Sequence, residues 1–96
     1  MTTSITYGVT CERTPLRTLA LETLRAAAKA YALARALETR EEGVDDGAAI
    51  LPMRVALDHA TRTAARLLPQ GEVGGVLIEE AKTKGFEDGR AFAAAL

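Results

Sequence analysis

The sequence predicts an all-α fold, a small bundle of about four helices around one long N-terminal helix at 14–42, preceded by a short β-arm. The first observation is that 14–42 consists mainly of strong helix formers such as Ala, Leu, Glu and Arg. The second is that the rest of the chain carries helix-period apolar segments bounded by prolines and glycines. The third is that only 4–11 alternates like a strand. We therefore expect a single helical domain over 1–96.

The arm is predicted from residues 4–11, in which polar and apolar side chains alternate. One strand cannot satisfy its own backbone hydrogen bonds, and the sequence offers no second convincing strand. We therefore expect the strand-like arm at 1–13 either to pair with its copy in a dimer or to be a loosely ordered arm, and we favour an arm that a partner orders. The apolar residues that would share one face of the strand are Ile5, Tyr7, Val9 and Cys11.

The long helix at 14–42 has recognisable start and end signals. Thr14 suits the N-cap, Pro15 the first helical position and Gly43 the C-cap. Its apolar residues cover a wider arc than the stripe of an ordinary surface helix. We therefore expect neighbours on at least two sides of this helix. The apolar residues are Leu16, Leu19, Ala20, Leu21, Leu24, Ala27, Ala28, Ala30, Tyr31, Leu33, Ala34 and Leu37.

A second helix is predicted at 52–68, opened by Pro52 and stopped by Pro69. Charged residues recur every four positions on the side opposite its apolar face, and Asp58 is placed to pair with the arginines before and after it. The apolar residues are Met53, Ala56, Leu57, Ala60, Ala64, Leu67 and Leu68, and the charged row is Arg54, Asp58, Arg62 and Arg66.

Two shorter helices are predicted after this, at 72–84 and 88–95. Gly85 suits a left-handed cap at the end of the first, and Asp88 an N-cap at the start of the second. Gly74 and Gly75 weaken the first turns of the 72–84 helix by roughly 1 kcal/mol each relative to Ala. We expect a close approach of another backbone, that of the long helix, to offset this cost.

The composition limits the function classes. Twelve basic against thirteen acidic residues give a net charge of −1, which argues against bulk attraction to nucleic acid or an anionic membrane. The sequence has no Trp, one Cys, no signal-peptide pattern and no apolar run long enough to span a bilayer. We expect a soluble, cytoplasmic protein that does not bind membranes.

Catalysis and cofactors have little support in the sequence. His59 and Cys11 are the only residues of their types, they fall on different predicted elements, and zinc needs about four such ligands. The acids in 41–47 do not have the alternate spacing of a calcium-binding EF-hand loop. We therefore predict no enzyme, no cofactor, no metal site and no catalytic residue.

The surplus apolar surface and the unpaired strand instead predict a protein–protein interaction module, an adaptor, regulator or inhibitor. We expect it to act as a helical homodimer or as a subunit bound to a larger partner. The side chains expected to bind the partner are Leu21, Leu24 and Tyr31 on the long helix and Arg54, Arg62 and Arg66 on the second helix.

The alternative hypothesis is a DNA-binding transcriptional regulator. The segment 80–86 and the short helix after it resemble a helix-turn-helix, with Ala81 four residues before Gly85 and an apolar residue after the glycine. A strand followed by helices also resembles ribbon-helix-helix repressors, although here the strand's outward residues carry no charge or amide. Binding to nucleic acid is therefore possible but not favoured.

Overall fold

A computed structural model describes the backbone of residues 2–6, 9–40 and 49–96 and the side chains of 14–40 and 49–96. The fold is all-α in its packed part, as predicted. The described residues form three helices rather than about four. The elements are β1 (Thr2–Thr6), β2 (Val9–Arg13), α1 (Pro15–Glu38), α2 (Ile50–Leu67) and α3 (Glu72–Ala95).

The prediction of one N-terminal strand over 4–11 is not supported. Instead β1 and β2 pair antiparallel with each other, Thr2 opposite Arg13 and Thr6 opposite Val9. The ladder therefore finds its hydrogen-bond partners within the chain, and no copy is needed to supply them. Tyr7 and Gly8, which lie inside the predicted strand, are outside the described residues.

Helix α1 begins as the sequence predicts. Thr14 is the N-cap, its Oγ1 accepts a hydrogen bond from the backbone N–H of Arg17 at 3.2 Å, and Pro15 follows it. The helix ends at Glu38, with Thr39 as the C-cap, before the predicted end at 42. The predicted cap, Gly43, lies outside the described residues.

Helix α2 begins at Ile50, two residues before the proline predicted to open it. Pro52 is tolerated there because the first turn of a helix has no internal acceptors for its N–H groups. The backbone N–H of Ile50 donates to Glu38 Oε2 at 3.1 Å, which satisfies one of these donors from α1. The helix ends at Leu67 because Leu68 is extended, the conformation favoured before a proline.

The two C-terminal helices predicted at 72–84 and 88–95 are one continuous helix, α3. Gly85 is not a left-handed cap. Among the described glycines, Gly71 alone has a positive φ, of 91°, so Gly85 does not have the left-handed conformation. Gly85 is buried against α1 instead. A Cβ added to it would overlap the Arg25 carbonyl oxygen and lie 2.6 Å from the Ala28 Cβ. The glycine therefore permits contact between helices rather than ending one.

The close approach expected at Gly74 and Gly75 also lies elsewhere. A Cβ on Gly74 would overlap the Pro69 carbonyl oxygen, not α1, and a Cβ on Gly75 would point into open space. The approach of α1 occurs at Gly85 and one turn later at Gly89, where an added Cβ would lie 2.8 Å from the Ala32 Cβ. Glycines of this helix therefore do contact the backbone of α1, but at Gly85 and Gly89 rather than at the predicted Gly74 and Gly75.

Helix α1 is the central element of an up-down-up arrangement. Its Arg17 and Glu38 contact the far ends of α2, at Leu67 and Ile50, so α1 and α2 run antiparallel. Along α1, Arg25 contacts Asp88 and Arg40 contacts the Ala93 carbonyl, so α1 and α3 run parallel. Because α2 and α3 meet only sparsely, each packs mainly against α1.

The core lies where α1 meets its two neighbours and is made of leucine and alanine. No polar or charged side chain is buried among the described residues. None of the helices described is long and apolar enough to cross a membrane. The buried cluster comprises Ala20, Leu21, Leu24, Ala28, Leu57, Ala60, Ala64, Leu68, Leu77 and Ala81.

Candidate protein interface

An apolar groove of about 410 Å³ runs between α1 and α2. Its described walls come from these two helices alone and contain no carboxylate and no lysine or arginine. Small side chains, mostly alanines and threonines, form much of its surface. We call it the α1–α2 groove. Its lining residues are Leu16, Leu19, Ala20, Thr23, Ala27, Ala56, His59, Ala60, Thr63 and Leu67.

Large aliphatic side chains stand exposed on and beside this groove. Leu16 and Leu19, on the α1 wall, are 56% and 60% exposed. On α2, Val55 is 60% exposed and lies one turn before His59, which lines the α2 wall of the groove. Isolated apolar residues at a surface need no explanation, but a contiguous apolar patch around a groove is typical of a binding site.

The walls of the groove differ along its length. At one end α1 contributes Leu16 and Leu19, and α2 contributes Leu67 and the smaller Thr63. Toward the other end the lining residues are Ala27 of α1 and Ala56 and His59 of α2. The large aliphatic lining residues are therefore concentrated near the start of α1.

The charged residues beside the groove lie on its α2 edge. Arg62 and Arg66 are exposed beside the α2 wall, whereas Glu22 of α1 lies on the side that faces α3, in a small cavity with Leu77, Glu80 and Lys84. The pairing predicted between Asp58 and the arginines around it is not formed, since no ion pair within the described residues involves the charged row of α2.

The structure places the six predicted partner-binding residues in three different environments. Leu21 and Leu24 are 6% and 0% exposed, so they belong to the core and not to the surface. Tyr31 is half-buried against Phe86, with ring centroids 6.3 Å apart. The three arginines, Arg54, Arg62 and Arg66, are exposed on α2, and two of them border the groove.

The exposed leucines of the groove, Leu16 and Leu19, were part of the predicted apolar face of α1 but were not chosen as binding residues. The width of the apolar face of α1 indicated that some of its residues contact a partner. The side on which α3 packs decides which of these residues stay exposed, and the helical period does not show that side.

The chemical groups considered for catalysis or metal binding do not come together in the described residues. His59 is exposed on the groove wall, whereas Cys11 lies in β2, whose side chains are not described. The part of the chain with described side chains holds no group of three or more His, Cys, Asp or Glu that could bind a metal ion.

The geometry of the predicted DNA-binding elements also differs from expectation. The segment resembling a helix-turn-helix, 80–95, is uninterrupted helix and has no turn. The N-terminal ribbon is a hairpin of one chain, whereas ribbon-helix-helix proteins pair one strand from each protomer.

Comparison with known proteins gives no further guide, because no protein family matches the sequence and neither a characterised protein nor a solved structure is significantly similar to it.

Proposed function

We propose that this chain is a small, non-enzymatic protein–protein interaction module that acts as a homodimer, with two copies joined through the α1–α2 groove. The observation that supports this proposal is the α1–α2 groove itself, which is lined without an acidic or basic side chain and carries the exposed Leu16 and Leu19. An isologous interface needs a surface patch that fits its own copy.

A two-fold axis parallel to the helices joins the two grooves. Such an axis lays α1 of each copy over α2 of the other. Because α1 and α2 are antiparallel, with Arg17 at the height of Leu67, Leu16 and Leu19 of one copy then meet the α2 wall of the other near Leu67 and Thr63. The exposed leucines are removed from water, which is the main favourable contribution to such an association.

Charge favours this axis over the alternative. An axis perpendicular to the helices would bring the α2 edges of the two copies together, with Arg62 and Arg66 on each. Like charges at the rim of an interface oppose association. The axis parallel to the helices keeps these arginine edges apart.

The dimer leaves α3 of each copy outside the interface. A two-fold object with two copies of the same outward surface is suited to act as an adaptor, regulator or inhibitor on a larger protein partner. This part of the proposal concerns the kind of function and does not identify the partner.

The test is the molar mass in solution, measured by light scattering over a concentration series. We expect a dimer for the unchanged chain and a monomer for Leu19→Glu, with the same far-UV circular dichroism, because Leu19 is 60% exposed and its replacement does not disturb the core. Leu96→Glu is the matched control. Leu96 is 70% exposed but lies outside the groove, so this variant stays dimeric.

A chain that remains monomeric at high micromolar concentration would overturn the proposal. So would a Leu19→Glu variant that dimerises as tightly as the unchanged chain, since the interface would then lie elsewhere.

A further inference from the structure

A second cavity, of about 360 Å³, opens between α1 and α3, away from the α1–α2 groove. Two arginines, Arg35 and Arg90, line it together with the rings of Tyr31 and Phe86 and the hydroxyl of Thr39. Alanines of α1 complete the described lining. We call it the α1–α3 pocket, and its chemistry is distinct from that of the groove because it combines cations with aromatic rings.

The arginines make the pocket positive. No carboxylate is among its described lining residues, and neither arginine forms an ion pair within the part of the chain that the structure describes. Arg35 Nη1 donates to the Tyr31 hydroxyl at 3.1 Å, and its guanidinium carbon lies 5.8 Å from the centre of that ring. The guanidinium of Arg35 is therefore oriented by Tyr31 of the same helix, and Arg90 lines the pocket from α3.

The rings form a wall suited to a flat apolar group. Tyr31 and Phe86 pack with their centroids 6.3 Å apart and their planes tilted by 57°, and both are half-buried. A tilted pair of this kind is a stable arrangement of aromatic quadrupoles, so the wall is formed before any ligand arrives. Small-molecule sites typically join such an apolar wall to a few oriented polar groups.

We propose that the α1–α3 pocket binds an aromatic carboxylic acid, with its ring against Tyr31 and Phe86 and its carboxylate between Arg35 and Arg90. A guanidinium presents paired N–H donors that match the two oxygens of a carboxylate, and stacking on an aromatic face leaves these donors available. The pocket supplies both halves of this recognition and contains no acidic lining residue that would repel the ligand. This site goes beyond the proposed dimer and does not depend on it.

The test is a titration of the full chain with benzoate, followed by ¹⁵N NMR. We expect saturable shifts at Tyr31, Arg35, Phe86 and Arg90 with a Kd of about 1 mM, a reasonable affinity for a ligand of this size. Benzamide keeps the ring and removes the charge, and it binds at least about tenfold more weakly. Added NaCl weakens the binding of benzoate but not that of benzamide.

Variants separate the pocket from general attraction to a cation. Arg90→Gln weakens benzoate binding at least about fivefold, a loss in the range of one charge-assisted hydrogen bond. Arg54→Gln is the matched control, because Arg54 is an exposed arginine without a described ion pair on α2, and it leaves the Kd unchanged. Far-UV circular dichroism and the molar mass verify that each variant is folded and associates as the unchanged chain does.

Equal binding of benzoate and benzamide, an unaltered Kd in Arg90→Gln, or the absence of saturable shifts at the pocket would each overturn this inference. None of these results bears on the dimer, whose test is the molar mass of Leu19→Glu.

Discussion

At the scale of single residues, the polar contact between Arg25 and Asp88 joins α1 to α3. Arg25 Nε donates to Asp88 Oδ2 at 2.7 Å, and about two-fifths of each side chain is exposed. The hydrogen bond from Arg25 lowers the pKa of Asp88 below its ordinary value of 3.8 and raises that of Arg25. A carboxyl group whose pKa is lowered on folding stabilises the folded state above its unfolded pKa, and this contribution disappears as the pH falls through the folded pKa.

We therefore expect Asp88→Asn to lower the melting temperature at neutral pH, and the difference from the unchanged chain to shrink once the pH falls below about 4, the ordinary pKa of an aspartate. The pair is partly exposed, so added salt also reduces the difference. The measurement is thermal unfolding at several pH values.

Glu87→Gln is the control for this prediction. Glu87 is exposed beside Asp88, and the described residues give it no ion pair, so its replacement has little effect. A destabilisation by Asp88→Asn that is the same in acid as at neutral pH would show that the charge of Asp88 is not what stabilises the contact.

At the scale of the elements, α1 and α3 contact each other through small residues. Ala28 and Ala32 of α1 face Gly85 and Gly89 of α3, each pair one turn apart. Rows of residues at i and i+4 on two helices interlock when their side chains are small, and the backbones then come close together. This contact requires the long α3 to remain helical through both glycines.

We expect Gly85→Ala to destabilise the fold by about 1–3 kcal/mol, the usual cost of an added methyl group in a packed interior, despite the higher helix propensity of alanine. The physical reason is that the new Cβ would meet the Arg25 carbonyl oxygen and the Ala28 Cβ, neither of which is the end of a flexible side chain. The measurement is the free energy of unfolding in urea.

Gly75→Ala is the matched control in the same helix. A Cβ there meets nothing within 4 Å, so we expect stabilisation of up to about 1 kcal/mol from helix propensity alone. Similar effects of the two substitutions would contradict the close contact of α1 with α3.

At the scale of the whole molecule, the helices of the described part pack on two sides of α1 and do not fill the α1–α2 groove. Helix α2 covers α1 through Leu57, Ala60 and Ala64, and α3 contacts α2 only sparsely. In the proposed dimer, two copies bury each other's groove.

The exposed leucine at the start of α1 permits a second test of the dimer. We expect Leu16→Glu to weaken dimerisation at least about tenfold, because Leu16 is 56% exposed on the groove and the substitution buries a charge in both symmetry-related contacts. The measurement is the dimer dissociation constant by analytical ultracentrifugation.

Leu96→Glu adds the same charge away from the groove, and we expect it to leave the dissociation constant unaltered. If Leu16→Glu and Leu96→Glu have equal effects, only net charge matters, and the proposed interface is wrong.

Much of the fold follows from local signals in the sequence. The N-cap at Thr14 and the stop before Pro69 depend on backbone chemistry within a few residues, and both are where the sequence predicts them. The end of α1 and the start of α2 each differ by a few residues from prediction, because their caps involve Glu38 and the adjoining turn rather than a glycine or proline.

The candidate interface stays a prediction, and the sequence alone did not locate it. The sequence indicates that α1 has more apolar surface than an isolated bundle needs, but it does not show that Leu24 is covered while Leu19 is exposed. Both are leucines on the same broad face, and the difference between them depends on the side from which α2 and α3 approach.

Helix propensity, capping and proline geometry act over a few residues, so the helical class, the start of α1 and the stop before Pro69 could be predicted from the sequence. The tertiary structure decided whether Gly85 ends a helix or lies inside one. Glycine is compatible with both, and the close packing of α1 against α3 favours the helical conformation because only a residue without a Cβ fits there. It also decided which leucines are buried, since burial is a property of the neighbours that surround a side chain and not of the side chain alone.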